Sequence, residues 1–524
     1  NKSTLTWDSE RAGGPQSVIV NGGKLINSGT FLMRRANIFI DRPNVSIENP
    51  AGSLIESVSG TAGTNTIGGG GSMTGSWVSY LLNSGTIRAN ARDLAVGTFS
   101  DTGGTLRAQD GATLTLIGSI FTSGSTRFST DATGVIITGS GATIGAVLGT
   151  VDPGTNLVIS GNITPGQPLA PIDLAGGTLR WRVSTMTVSD GRVLEFRSPV
   201  LRELAGNAII TGTGTVRIAP GGELTFANNS AFLQRAGATF ENVGLILTDG
   251  ASATNIFQND QANAVALVNT GTIRMTAAGT QVIATANVSG TYSMSNAGTL
   301  EALAASAGSV TLRTGSSAAI HFQQFSSGTL TGGTYRATAQ GTSAATLDLN
   351  AVGGAGVVTR IGAGATVVLS QSSSGLATLT QLGEIDEVAG GFHLHGNASR
   401  SFAGVSVSGT LGGSGAYGGQ FATTAGGLIN LEPGGTLVNN GSLANDGTVS
   451  LAGGRLTLGG NMTGSGSLSF AGGTLAAAGS LAIGPGIALP GTGTFDTGGF
   501  GVNASGAREP GDRPRHRPAG HRHV

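Results

Sequence analysis

The sequence predicts an all-β fold, a parallel β-helix. Three observations predict it: a composition that disfavours helices but fills a narrow core, a turn-and-strand motif that returns along the chain, and a spacing of about 19 residues between double-glycine turns.

Of 524 residues, 91 are glycine and 15 proline, and only 11% are charged. Each glycine inside a helix costs about 1 kcal/mol relative to alanine, so helices are expected to be scarce. Disordered chains combine low hydrophobicity with high net charge, whereas here 39% of residues are apolar and the formal charge is zero. Aromatics make up only 5%, and the Val, Ile, Leu and Ala that dominate suit a narrow interior of small side chains.

The motif is N-x-G-T followed by apolar, any and apolar residues. It occurs at Asn27 to Met33, Asn83 to Ala89, Asn269 to Met275, Asn296 to Ala302 and Asn445 to Leu451. Asn and Gly tolerate positive φ and are expected to supply a turn, and Thr to open a strand with alternating faces. Phe31, Met33, Ile87, Ala89, Ile273, Met275, Leu300, Ala302, Val449 and Leu451 are then expected inside, with Arg88, Arg274, Glu301 and Ser450 facing water.

The spacing comes from Gly434-Gly-Thr-Leu437, Gly453-Gly-Arg-Leu456 and Gly472-Gly-Thr-Leu475, which follow one another at an even interval. Three strands of about five residues with tight turns fill that interval, so it reads as one rung. The stretch Thr211 to Leu224 reads like Thr463 to Leu475, turn, strand, turn, strand. Gaps between N-x-G-T copies vary widely, so irregular rungs of about 19 residues or more, with loops, are expected. Prolines 165, 168 and 171 mark one excursion near 163–173, and the charged segment with Pro199 marks another near 197–206. Residues 1–506 are expected to form one continuous solenoid.

Residues 507–524 differ. This Arg/Pro/His-rich tail is expected to be disordered or the product of a frameshift, since 26 arginines against two lysines suggest a GC-rich coding sequence. Positions 508–524 hold five arginines and two acids, which leaves 23 basic against 26 acidic side chains in the rest. A body at about minus three offers no basic stripe for phosphates, so nucleic acid is not expected as a partner. With no cysteine, disulfides, cysteine-ligated zinc, iron–sulfur clusters and thiol nucleophiles are excluded. No stretch approaches the about 20 apolar residues of a membrane helix. Asn1 is not an initiator methionine, and a piece of a longer protein is expected.

At the N-x-G-T and G-G-T-L copies, over about residues 20 to 506, the chain resembles autotransporter passengers and filamentous-haemagglutinin-type exoproteins. These are right-handed parallel β-helices displayed outside Gram-negative cells. The segment Gly484 to Gly506, with Gly493-Thr-Phe-Asp-Thr-Gly-Gly-Phe500, is similar to the autotransporter-associated β-strand repeat, which in that family often precedes the membrane barrel; residues 507–524 do not read as one. The resemblance implies a right-handed helix, an extracellular or cell-surface location, and passage through an outer-membrane translocation barrel. It carries over no active site.

No catalytic, cofactor-binding or metal-binding residue is assigned, and no cofactor is expected. His393 and His395 share one face of a strand, and Glu384, Asp386 and Glu387 precede them by a few residues in sequence, but nothing fixes a third ligand; His321 stands alone. A polysaccharide-cleaving β-helix would stack carboxylates along a groove near an arginine, and the densest acids are Asp348, Glu384, Asp386, Glu387 and Glu432. Thr113/Thr115, Thr185/Thr187, Thr329/Thr331 and Thr378/Thr380 are too irregularly spaced for an ice-binding ladder. The expectation is a non-enzymatic adhesin or structural stalk meeting host-cell, matrix or glycan surfaces, with a secreted polysaccharide lyase or hydrolase as the alternative.

Overall fold

The computed structural model describes residues 4–8, 16–20, 23–40, 45–58, 64–69, 80–122, 125–138, 143–144, 150–152, 154–159, 162–163, 178–181, 185–188, 190–197, 200–202, 206–226, 230–248, 254–286, 291–305, 308–315, 320–349, 357–503 and 522–523. Among them there is no α-helix, and the regular elements are β-strands, most of them paired in parallel. The chain divides into two compact units, one of Asn1–Gly250, Thr254–Val268 and Ala286–Tyr292, the other of Ala251–Ala253, Asn269–Thr285 and Ser293–Val524.

In the first unit each strand pairs with one about three places further along. Thr30–Arg34, Leu54–Ser57, Thr86–Asn90, Thr105–Gln109 and Arg127–Thr130 lie side by side, so that Ile55, Ile87, Leu106 and Phe128 form one buried column. Parallel partners need a long connection, and here it holds further strands that pair in other sheets. The length of chain between partners varies, for Thr30 pairs with Leu54, Leu54 with Thr86, and Thr86 with Thr105. In the second unit Thr436, Arg455 and Thr474 are register partners, so the even interval between double-glycine turns is a pairing offset.

The double-glycine turn divides its work between its two residues. Gly453 sits at φ +86°, and a Cβ on Gly454 would lie 2.6 Å from the Leu431 Cβ. The first needs the left-handed backbone, the second the room.

The motif residues behave differently from expectation in three ways. Asn27, Asn83, Asn269, Asn296 and Asn445 do not adopt positive φ. The last four are fully buried at strand ends, where they hydrogen-bond along the stack. Gly298 is not left-handed either; a Cβ there would meet the Gly271 carbonyl oxygen at 2.0 Å, so close approach excludes a side chain. Glu301, expected to face water, is 5% exposed, because Arg274 and Arg336 on the adjoining strands cover it. Of the ten residues expected inside, nine are buried and Phe31 is half-buried.

The asparagines form inner columns. Asn27 Nδ2 donates to Asn49 Oδ1 at 2.8 Å and Asn49 Nδ2 to Asn83 Oδ1 at 2.7 Å. Asn83 Nδ2 donates to Asp101, whose other oxygen accepts from Thr126 Oγ1 at 2.6 Å and from the Gly104 amide at 2.8 Å. In the second unit Asn269 Nδ2 donates to Asn296 Oδ1 at 2.6 Å. A buried amide without partners costs about 1–3 kcal/mol, and from Asn27 through Asn49 and Asn83 to Asp101 each side chain satisfies the next, which removes that cost.

The strands bear on other expectations. The excursion near 197–206 contains the strand Val200–Arg202, in which Val200 pairs with both Leu179 and Leu224. Of the excursion near 163–173, only Ile163 belongs to the described residues, and it ends a strand. Thr463 to Leu475 is not two separate strands, for Ser467–Ala477 runs through with a register shift. The interior is not built of small side chains throughout, since Phe226, Phe232, Phe240 and Phe257 pack together with centroids as near as 4.6 Å. The tail lies outside the described residues except Arg522–His523, antiparallel to Gly491–Asp496.

Candidate functional site

Parallel in-register pairing places equivalent residues of neighbouring strands about 4.8 Å apart. Charge on an outer face is therefore a property of columns.

Two columns alternate in sign. In the first unit Glu195, Arg217 and Glu241 are register partners on Val193–Phe196, Thr215–Ile218 and Thr239–Asn242. Arg217 reaches Glu241 at 2.7 Å and Glu195 at 3.4 Å, and the hydrogen bond to Glu241 is the chief reason its pKa is raised. In the second unit Arg274, Glu301 and Arg336 repeat the pattern, with Arg274 Nε 2.6 Å from Glu301.

One outer face of the first unit departs from this rule. Arg88 and Arg107 are direct register partners on Thr86–Asn90 and Thr105–Gln109, and Arg127 pairs with Thr105, two residues before Arg107. Alternation along each strand puts all three guanidiniums on one face. They line a groove of about 420 Å³ with Thr86, Thr105 and Asp152. The end cations have acids: Arg88 Nε lies 2.8 Å from Glu56, and Arg127 Nε 2.6 Å from Asp152. The hydrogen bond from Arg127 is the largest reason that the Asp152 carboxyl sits below its ordinary pKa, and the more distant charge of Arg107 adds a smaller pull. Asp152 is therefore ionised at neutral pH and is no proton donor there. Arg107, exposed between the other two, makes no ion pair among the described residues.

The residues singled out from sequence for metal or acid chemistry do not converge. His393 and His395 project from Gly391–Gly396 with rings parallel within 8° and 6.4 Å apart. Burial, then the neighbouring His395, lowers the His393 pKa. Glu432 approaches His395 Nδ1 at 3.7 Å across Gly413, where a Cβ would lie 3.1 Å from the ring. Glu384, Asp386 and Glu387 belong to Leu382–Val388, which pairs with Val358–Ile361 and Ser399–Val407 rather than with the histidine strand. Glu384 accepts the Ala403 amide at 2.5 Å, and Glu387 lies 3.9 Å from Arg360. Asp348 is buried elsewhere; burial raises its pKa, but bonds from Gln381, Arg313 and Thr380 outweigh that and hold it low. Among the described residues no three His, Cys, Asp or Glu side chains are grouped to hold a metal.

His321 is exposed on Ile320–Phe322. Thr113 pairs with Val135 and Thr329 with Arg360, whereas Thr378 stacks on Thr346 and Thr311, so the threonine pairs do not form one common ladder. Sequence reading passed over the arginine face, although a signal was there. Thr86-Ile-Arg-Ala89 and Thr105-Leu-Arg-Ala108 repeat one pattern at the interval of the double-glycine turns.

No family model, curated protein or solved structure matches this chain. Among the described residues no helix is long and apolar enough to cross a membrane. The protein is thus an all-β chain of parallel strands in which outer charges pair along columns, while one arginine-lined groove sets like charge against like.

Proposed function

We propose that the chain is a right-handed parallel β-helix, exported to the surface of a Gram-negative bacterium, where it serves as a stalk or adhesin. The observation that carries this reading is the stacking itself. In each unit strands pair in parallel, in register, with connections that hold further strands, the pattern of a coil whose every turn adds a layer of core. Handedness follows from the strong right-handed preference of connections between parallel strands. The resemblance of the N-x-G-T and G-G-T-L motifs to autotransporter passengers supplies the cellular setting. Absence of cysteine suits passage through a periplasm where a disulfide would block threading.

A fold that grows in one dimension buries core in every layer and offers a long exterior for many weak contacts, which suits extended, multivalent attachment. Fractionation of the native host with protease treatment of intact cells tests the reading. The chain is expected in the protease-accessible or released fraction. A strictly cytosolic, protected chain would overturn it.

A further inference from the structure

The groove over Thr86–Asn90, Thr105–Gln109 and Arg127–Thr130 breaks the alternation of charge that the Glu195 and Arg274 columns keep. Two guanidiniums directly opposed on neighbouring strands repel each other, an arrangement that costs stability unless a counter-charge is present. Glu56 and Asp152 serve the outer two cations. Three cations and two carboxylates leave one positive charge over, on the exposed Arg107.

Such departures from local consistency concentrate where a protein binds something. The surroundings narrow what that is. Besides Leu54 and the Asp152 carboxylate that Arg127 engages, the walls are mainly hydroxyls and guanidiniums, with Thr86 and Thr105 beside the arginines, a set that donates to carboxylate or sulfate oxygens in paired fashion and exchanges hydrogen bonds with sugar hydroxyls. Among the described residues no aromatic ring lines the groove for a nucleobase to stack on. Arg88 and Arg107 are one strand separation of about 4.8 Å apart, and Arg127 is one strand further and two residues along, so an unbranched polymer bearing acid groups on its sugars would cross the strands obliquely.

We propose that this groove binds an extended anionic polysaccharide, with Arg107 as the specificity-determining contact and Arg88 and Arg127 as flanking cations held in place by Glu56 and Asp152. This gives the adhesive part of the reading above its ligand chemistry and rests on that reading only for where the ligand is met. Binding by the purified chain and location in the host fail independently.

The test is binding of the purified full chain to size-matched oligosaccharides at low ionic strength: polygalacturonate for carboxylates, heparin fragments for sulfates, dextran as the neutral control. At least one anionic oligomer is expected to bind and dextran not, with binding weakened by added salt. Arg107→Glu is expected to weaken it by about tenfold or more, Arg107→Gln by less, and Arg360→Gln, remote in sequence and paired with Glu387, not at all. Arg107 is exposed, so its variants should keep the wild-type circular dichroism spectrum. Preference between the two anionic arms identifies the acid group. Failure of both to bind, equal binding of dextran, equal Arg107-dependent binding of single-stranded DNA, or indifference to Arg107→Glu would each overturn the assignment.

Discussion

Two outward columns of the first unit are built by the same pairing and carry opposite electrostatics. In Glu195–Arg217–Glu241 every charge faces its opposite on the next strand. At Arg88 and Arg107 like charge faces like. Because the backbone geometry is shared, the contrast isolates the side chains. The first column is arranged for the fold. The second gives up a little stability and leaves a cation turned to solvent, which teaches that on a surface made of repeated strands the binding face is found where the repeat stops compensating itself.

The largest effect is expected beneath these columns, in the inner stack that any outer design depends on. Asn83→Ala removes the amide that joins Asn49 to Asp101 and takes one buried hydrogen bond from each, so urea unfolding followed by circular dichroism should show a loss of about 1–3 kcal/mol. A loss indistinguishable from that of an exposed Asn→Ala change would mean the stack contributes nothing.

Next comes the pair of columns. Arg217→Glu places three carboxylates in one column and is expected to cost about 1–2 kcal/mol in the same assay. The identical change at Arg107 creates an opposite-charge pair with Arg88 and is expected to raise stability by up to about 0.5 kcal/mol while anion binding is lost. If both changes destabilise alike at low salt, the contrast between the columns is only geometric.

The smallest effect concerns pH. Arg127 holds Asp152 below the ordinary carboxylate range, so the stabilisation from this contact is present above about pH 4 and is lost as pH falls through the depressed folded value. Asp152→Asn should flatten that part of the acid-unfolding curve. An unchanged acid limb would show that the pair is fully screened by water.

Legibility followed the range of the interaction. The strand faces could be read because side-chain alternation is local: Ile87, Ala89, Ile273 and Met275 are buried as their spacing required. The inner stack was missed because it joins residues that no single motif contains. Asn49 and Asp101 stand outside the N-x-G-T copies, yet each closes a strand just before a glycine-bearing turn, as Asn83 does. Expecting asparagine to act through positive φ hid its amide, which the register aligns with the strand above. Glu301 was placed in water for a similar reason. Alternation fixes its face, but the covering arginines come from other strands, Thr272–Met275 before it and Thr334–Ala339 after it.

Local chemistry was enough to settle that the chain is all-β, which residues along each strand point to the core, and that one interval separates the equivalent positions Thr436, Arg455 and Thr474. Steric limits on glycine and the two-residue period of a strand act within a few bonds, so they are written in the order of the residues. Which strand lies on which was left to the packing of the whole chain, because elsewhere the interval changes from one pair to the next, Leu54 to Thr86 being much longer than Thr86 to Thr105. That choice made the asparagines an internal column, drew Glu301 under two arginines, and set Arg88 against Arg107. Coulomb forces and hydrogen bonds depend on distances of a few ångströms, and across strands those distances exist only once the register is set.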